Sequence, residues 1–81
     1  MKLPRDLTGD DLAKGLRRLR YEPVRRSGSH IIFRTDEPRA HSITVPDHKP
    51  IKVGTLSAIL HELALQRQTT VEDILVAMKL A

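Results

Sequence analysis

Apolar residues recur along this chain with two different periods, and the switch between them divides it into elements. Leu12, Leu16 and Leu19 fall on one face at helical spacing. Thr8 precedes them as an N-cap, with Asp11 three residues on to complete an acidic variant of the capping box. Leu7 and Leu12 stand where a hydrophobic staple would close, and Pro23 is expected to stop the helix. The period then changes to two. Glu22 to Arg26 reads as a first strand, placed at a sheet edge by Pro23. Ser27-Gly28 reads as a two-residue hairpin turn into Ser29–Arg34, and His41–Val45 alternates as a third strand beyond a polar loop.

Helical spacing returns at Leu56, Ile59, Leu60 and Leu63, and again at Val71, Ile74, Leu75 and Met78 behind a Thr70 cap. The order is therefore α-β-β-β-α-α. It predicts an α+β fold, a three-stranded antiparallel meander with helices packed on one face. On the second strand Ile31 and Phe33 share one side, and His30, Ile32 and Arg34 the other. Phe33 is the largest apolar group in these strands, so its side is assigned to the core and His30 and Arg34 face outward.

Eighty-one residues suffice for one domain spanning 1–81, with a small core: a chain of this size buries only about 60% of its unfolded surface. The absence of cysteine excludes a disulfide framework and thiolate metal sites, and fits a reducing compartment. No apolar run approaches the ~20 residues a membrane helix needs, and no signal-peptide core follows the first residues. The expectation is a soluble, cytoplasmic protein. Its net charge of +4 is unevenly spread: eight basic residues against three acidic ones lie between Lys14 and Arg39. With Tyr21 and Phe33 as the only aromatics, this concentration favours contacts to a phosphate backbone over base stacking.

The candidate chemistry gathers where this basic segment meets the second strand, in Arg25-Arg26-Ser27-Gly28-Ser29-His30. Histidine gives and takes protons near neutrality, and arginines bind phosphate. His48 lies in the loop ahead of the second helix. His41 and His61 read as a strand-start residue and the polar side of a helix. The four histidines lack the spacing of a helical zinc pair and no carboxylate cluster accompanies them, so neither a metal nor another cofactor is expected. Lys49 and Lys52 precede a helix N-terminus, where free amides favour an anion, and Gly54 leaves room for a phosphate to approach.

Taken in order, Gly28-Ser29-His30 with Phe33, Ile43-Thr44-Val45-Pro46-Asp47-His48, Lys52-Val53-Gly54-Thr55-Leu56 with Ile59-Leu60, and Thr70-Val71-Glu72-Asp73 resemble the HicA family of toxins. These are small ribonucleases of two-gene toxin–antitoxin modules. The resemblance runs from the first helix through Leu75. It departs at Ile31, where many members carry a second polar residue, and at Val53, where proline is frequent. It implies a fold like the double-stranded-RNA-binding domain, His30 as the catalytic histidine, messenger RNA as substrate and a HicB-type antitoxin as partner.

The residues suit that chemistry. RNA carries its own nucleophile, the 2′-hydroxyl, so cleavage needs only proton transfer and charge stabilisation. His30 can act as base on that hydroxyl or as acid on the leaving oxygen. Arg26, Ser29, Arg34, Lys49 and Lys52 are the expected RNA and phosphate contacts. One histidine cannot hold both protonation states, which leaves His48, another side chain or water for the complementary role. The rival readings are a non-catalytic RNA-binding module of the same fold and a domain whose basic face meets an acidic protein.

Overall fold

The computed structural model describes residues 3–47 and 50–80. His48 and Lys49 lie outside the described residues. Six elements follow one another: α1 (Gly9–Arg18), β1 (Glu22–Ser27), β2 (His30–Thr35), β3 (His41–Pro46), α2 (Val53–Gln66) and α3 (Val71–Ala77). This is the expected α-β-β-β-α-α order, an α+β arrangement with an open three-stranded sheet.

Local chemistry starts α1 as the sequence requires. The Thr8 hydroxyl accepts from the Asp11 amide at 3.1 Å, and the Asp11 carboxylate accepts from the Thr8 amide at 3.0 Å. These reciprocal bonds satisfy two amides that the first helical turn would otherwise leave unpaired. They also hold the Asp11 carboxyl below its usual pKa, because ionisation strengthens the bonds from the Thr8 amide and hydroxyl.

The other end of α1 corrects the expectation that Pro23 stops it. The helix has already ended at Arg18. Arg20 turns into the left-handed region at φ 72°, and the amides of Arg20 and Tyr21 bond the carbonyls of Arg17 and Leu16, each at 3.0 Å. This is a Schellman closure made without glycine. Gln68 (φ 54°) closes α2 in the same way and Lys79 (φ 59°) closes α3. At the end of α1 the reversal carries Tyr21 inward, where its side chain is fully buried.

The three strands form one antiparallel sheet in the order β1-β2-β3. β2 is central and β1 is an edge. Pro23 pairs with Phe33 and Arg25 with Ile32, so Val24 has no partner across the ladder and forms a bulge, 57% exposed. The hairpin turn lies one residue later than the sequence suggested. Ser27 pairs with His30, leaving Gly28-Ser29 as the turn and Ser29 outside the strand. The reason is backbone sterics: a two-residue turn that matches strand twist needs positive φ at its first position, and Gly28 has φ +60°.

The strand alternation does come out as expected. Phe33, Thr35, Ile43 and Val45 are buried beneath the helices, while His30, Arg34, Ser42 and Thr44 are exposed on the opposite side. Leu56, Leu60 and Leu63 of α2, Ile74 and Leu75 of α3, and Leu12 and Leu16 of α1 complete the core. Gly15 is what lets α1 approach Met78: a Cβ there would lie 2.7 Å from the Met78 Cε atom. One sheet face is thus covered and the other is open. Among the described residues no helix is long and apolar enough to cross a membrane.

Candidate functional site

His30 is the first residue of β2 and lies between Ser27 of β1 and Pro46 of β3, with its side chain exposed on the open face. The backbone around it is firmly tied. Gly28 makes the turn, and the Asp47 amide donates to the Ser29 carbonyl at 2.6 Å, which fastens the end of β3 to that turn. The ring has no hydrogen bond to another residue among the described residues. A histidine on a fixed backbone with an uncommitted ring is well placed to meet a ligand.

Beside it, Arg26 closes the end of the hairpin. Its Nη2 lies 3.2 Å from the Asp47 carboxylate, and its Nη1 donates to the Gly28 carbonyl at 3.4 Å. Arg26 pairs across the strands with Ile31, so its side chain starts from the helix-facing side of the sheet, opposite to His30. The two do not share a face. They share an edge, the hairpin tip, where Arg26 and Asp47 wrap around the turn that carries His30. Asp47 also packs closely on the start of α1, since a Cβ at Gly9 would come within 3.0 Å of its carboxylate.

Arg34 does share the face of His30, but four residues farther along β2, about 13 Å at the rise of a strand. It pairs with Asp36 at 3.3 Å. The structure therefore does not bring Arg34 to the same point as His30. Lys52 is the N-cap residue of α2, exposed, and no side chain caps the helix there. The Ile51 amide donates to the Leu7 carbonyl at 2.7 Å, which anchors the residue ahead of Lys52 against the segment leading into α1. Ser29 is exposed in the turn.

Two features escape the sequence reading. One is the role of Asp47 in orienting Arg26; the residues are 21 apart, and only the turn geometry brings them together. The other is His41. Its Nδ1 lies 2.6 Å from the Tyr21 hydroxyl and its Nε2 2.9 Å from the Glu62 carboxylate. Both ring nitrogens are engaged, and the side chain is only 16% exposed. His41 is a structural link between the sheet and α2. His61 sits on the polar side of α2 as expected, bonded to the Ser57 carbonyl at 2.7 Å.

The family model described as "HicA toxin of bacterial toxin-antitoxin" matches residues 9–65. The chain belongs to the HicA toxin family. The match spans α1, the whole sheet and nearly all of α2, and so includes the hairpin, His30, Asp47 and Lys52. No curated protein and no solved structure matches the chain. Within this HicA-family chain, the hairpin tip holds the exposed His30 and Arg26 close together.

Proposed function

We propose that this HicA-family chain is an endoribonuclease toxin that cleaves messenger RNA and is held inactive by a HicB-type antitoxin. The observation that carries this reading is His30, exposed and unencumbered at the end of a rigid β-hairpin in a toxin-family chain. RNA brings the nucleophile. His30 takes the proton of the 2′-hydroxyl as it attacks the adjacent phosphorus, or protonates the 5′-oxygen as the P–O bond breaks. Arg26, oriented by Asp47, supplies positive charge at the hairpin tip, where the phosphorane gathers negative charge. The complementary proton transfer falls to water, another side chain or His48.

Arg34 and Lys52 serve farther along the RNA, as backbone contacts rather than at the reacting phosphate. The steps assigned here use side-chain acid and base groups, and among the described residues no group of three or more His, Cys, Asp or Glu lies together. The rival reading, an RNA-binding module without catalysis, is less well supported. Its reach into a duplex groove calls for a projecting loop, and the β1–β2 link here is a two-residue turn. An antitoxin needs to cover only about 800 Å² of an 81-residue chain to hide His30 and Arg26 together.

The test is the chemistry of the product ends. Incubation of a short RNA with the purified protein in EDTA is expected to yield a 2′,3′-cyclic phosphate, or its hydrolysis product, and a free 5′-hydroxyl, read by mass spectrometry. Products with 5′-phosphates, or cleavage only after magnesium is added, would contradict the mechanism.

A further inference from the structure

A cationic concavity lies next to the His30 site and shares Arg26 with it. Arg17 from α1 and Arg25 and Arg26 from β1 line an open groove of about 410 Å³, with Pro23 and Ile31 as its apolar floor and Asp10 as the one carboxylate in its lining. Asp10 is itself 3.9 Å from Lys14. Arg26 is paired with Asp47, whereas Arg17 and Arg25 have no carboxylate partner within ion-pair distance among the described residues.

The edge position of β1 explains how this groove arises. Consecutive strand residues ordinarily point to opposite faces, yet Arg25 and Arg26 both line it. Arg25 and Arg26 pair with Ile32 and Ile31 and so start on opposite faces, but β1 is an edge strand with no neighbour on its outer side to stop a side chain curling around it. Three guanidinium groups against one carboxylate, in a cleft open to solvent, suit a chain-like anion better than an enclosed small molecule.

We infer that this α1–β1 groove is a second phosphate-binding subsite, which holds the RNA backbone on the far side of the β1 edge from His30. The inference rests on the proposed ribonuclease function and adds to it the path of the substrate. Arg25 lies two residues along β1 from Ser27, the cross-strand neighbour of His30, about 7 Å away along the strand. One RNA strand can therefore pass from the open sheet face, around the edge, into the groove. Arg26 stands at the crossing point. This continuity with His30 is what favours RNA over an acidic protein as the occupant.

The experiment uses the full chain carrying His30→Ala, so that RNA stays intact, and measures binding of a fluorescent single-stranded RNA by anisotropy over a salt series. The paired substitution Arg17→Gln/Arg25→Gln is compared with Arg5→Gln/Arg18→Gln, which removes the same charge from exposed positions outside the groove. The groove pair is expected to flatten the slope of log affinity against log salt by about 0.7 to 1.4, the loss of one or two phosphate contacts to a single strand. The outer pair should leave it nearly unchanged. Equal flattening by both pairs, or none by either, overturns the subsite. So does a parent protein that binds a polyglutamate peptide but not RNA. Cleavage by the wild-type chain is scored separately: cleavage with no groove effect overturns the subsite alone, and absent cleavage overturns the ribonuclease reading.

Discussion

The Tyr21 hydroxyl and the Nδ1 atom of His41 stand 2.6 Å apart, their rings edge-on with centroids 5.8 Å apart. With the ring neutral, His41 Nε2 donating to the Glu62 carboxylate leaves Nδ1 to accept from the tyrosine hydroxyl. Three segments distant in sequence are joined by this chain of bonds: the exit from α1, the start of β3 and the middle of α2. Removing the donor strands a partly buried nitrogen. Tyr21→Phe is expected to cost about 1–2 kcal/mol in chemical denaturation, while RNA cleavage per folded molecule stays unchanged.

Alkaline pH probes the same tyrosine. Burial is the main reason its pKa is raised above the usual 10.0, with Glu62 adding to the shift and Arg67 opposing it. The folded state therefore disfavours the phenolate. Its contribution to stability is complete below pH 10.0 and is lost as pH climbs toward and through the raised folded value. Denaturation midpoints of the wild type should fall through that range. Tyr21→Phe should lack that part of the decline.

Helix ends offer a test of backbone strain. Arg20 closes α1 at φ 72°, where a side chain costs about 1–2 kcal/mol relative to the right-handed region. Glycine removes that cost but adds freedom to the unfolded chain. Arg20→Gly is expected to stabilise the fold by about 0.5–1 kcal/mol. Gly28→Ala should do the opposite: open space surrounds Gly28, but its φ of +60° is unfavourable for alanine. Thermal unfolding of the two variants should move in opposite directions.

The start of α1 is sensitive to acid. Because bonds from Thr8 lower the Asp11 pKa, the capping box stabilises the fold above the usual 3.8, and the benefit is lost as pH falls through the lowered value. Thr8→Ala breaks the box from the other side and should cost about 1 kcal/mol near neutrality. Its effect should shrink in acid, which urea denaturation at two pH values would reveal.

Much of this was legible in the sequence because it is local or periodic. The α1 cap depends on residues three apart, and the outward direction of His30 follows from strand alternation with Phe33. The sequence reading puts the turn at Ser27-Gly28, one residue early, because composition marks Gly28 as a turn residue but not which turn position it fills; its φ of +60° makes it the first. The end of α1 was hidden by Arg20, which takes a conformation normally marked by glycine. The link from Tyr21 through His41 to Glu62 and the pairing of Arg26 with Asp47 join residues about 20 apart, and no local pattern announces them. Arg26 and Arg34 both flank His30 in sequence, yet parity sends one to the opposite face and distance removes the other.

The central claim is that His30 carries the chemistry. Its side chain is exposed and makes no hydrogen bond among the described residues, so His30→Ala should change stability by less than about 0.5 kcal/mol. The decisive measurement is single-turnover RNA cleavage by wild type and His30→Ala, purified identically and matched for folding by circular dichroism. A loss of at least about 100-fold with the fold intact is the expected result. Cleavage by His30→Ala at the wild-type rate would contradict the account.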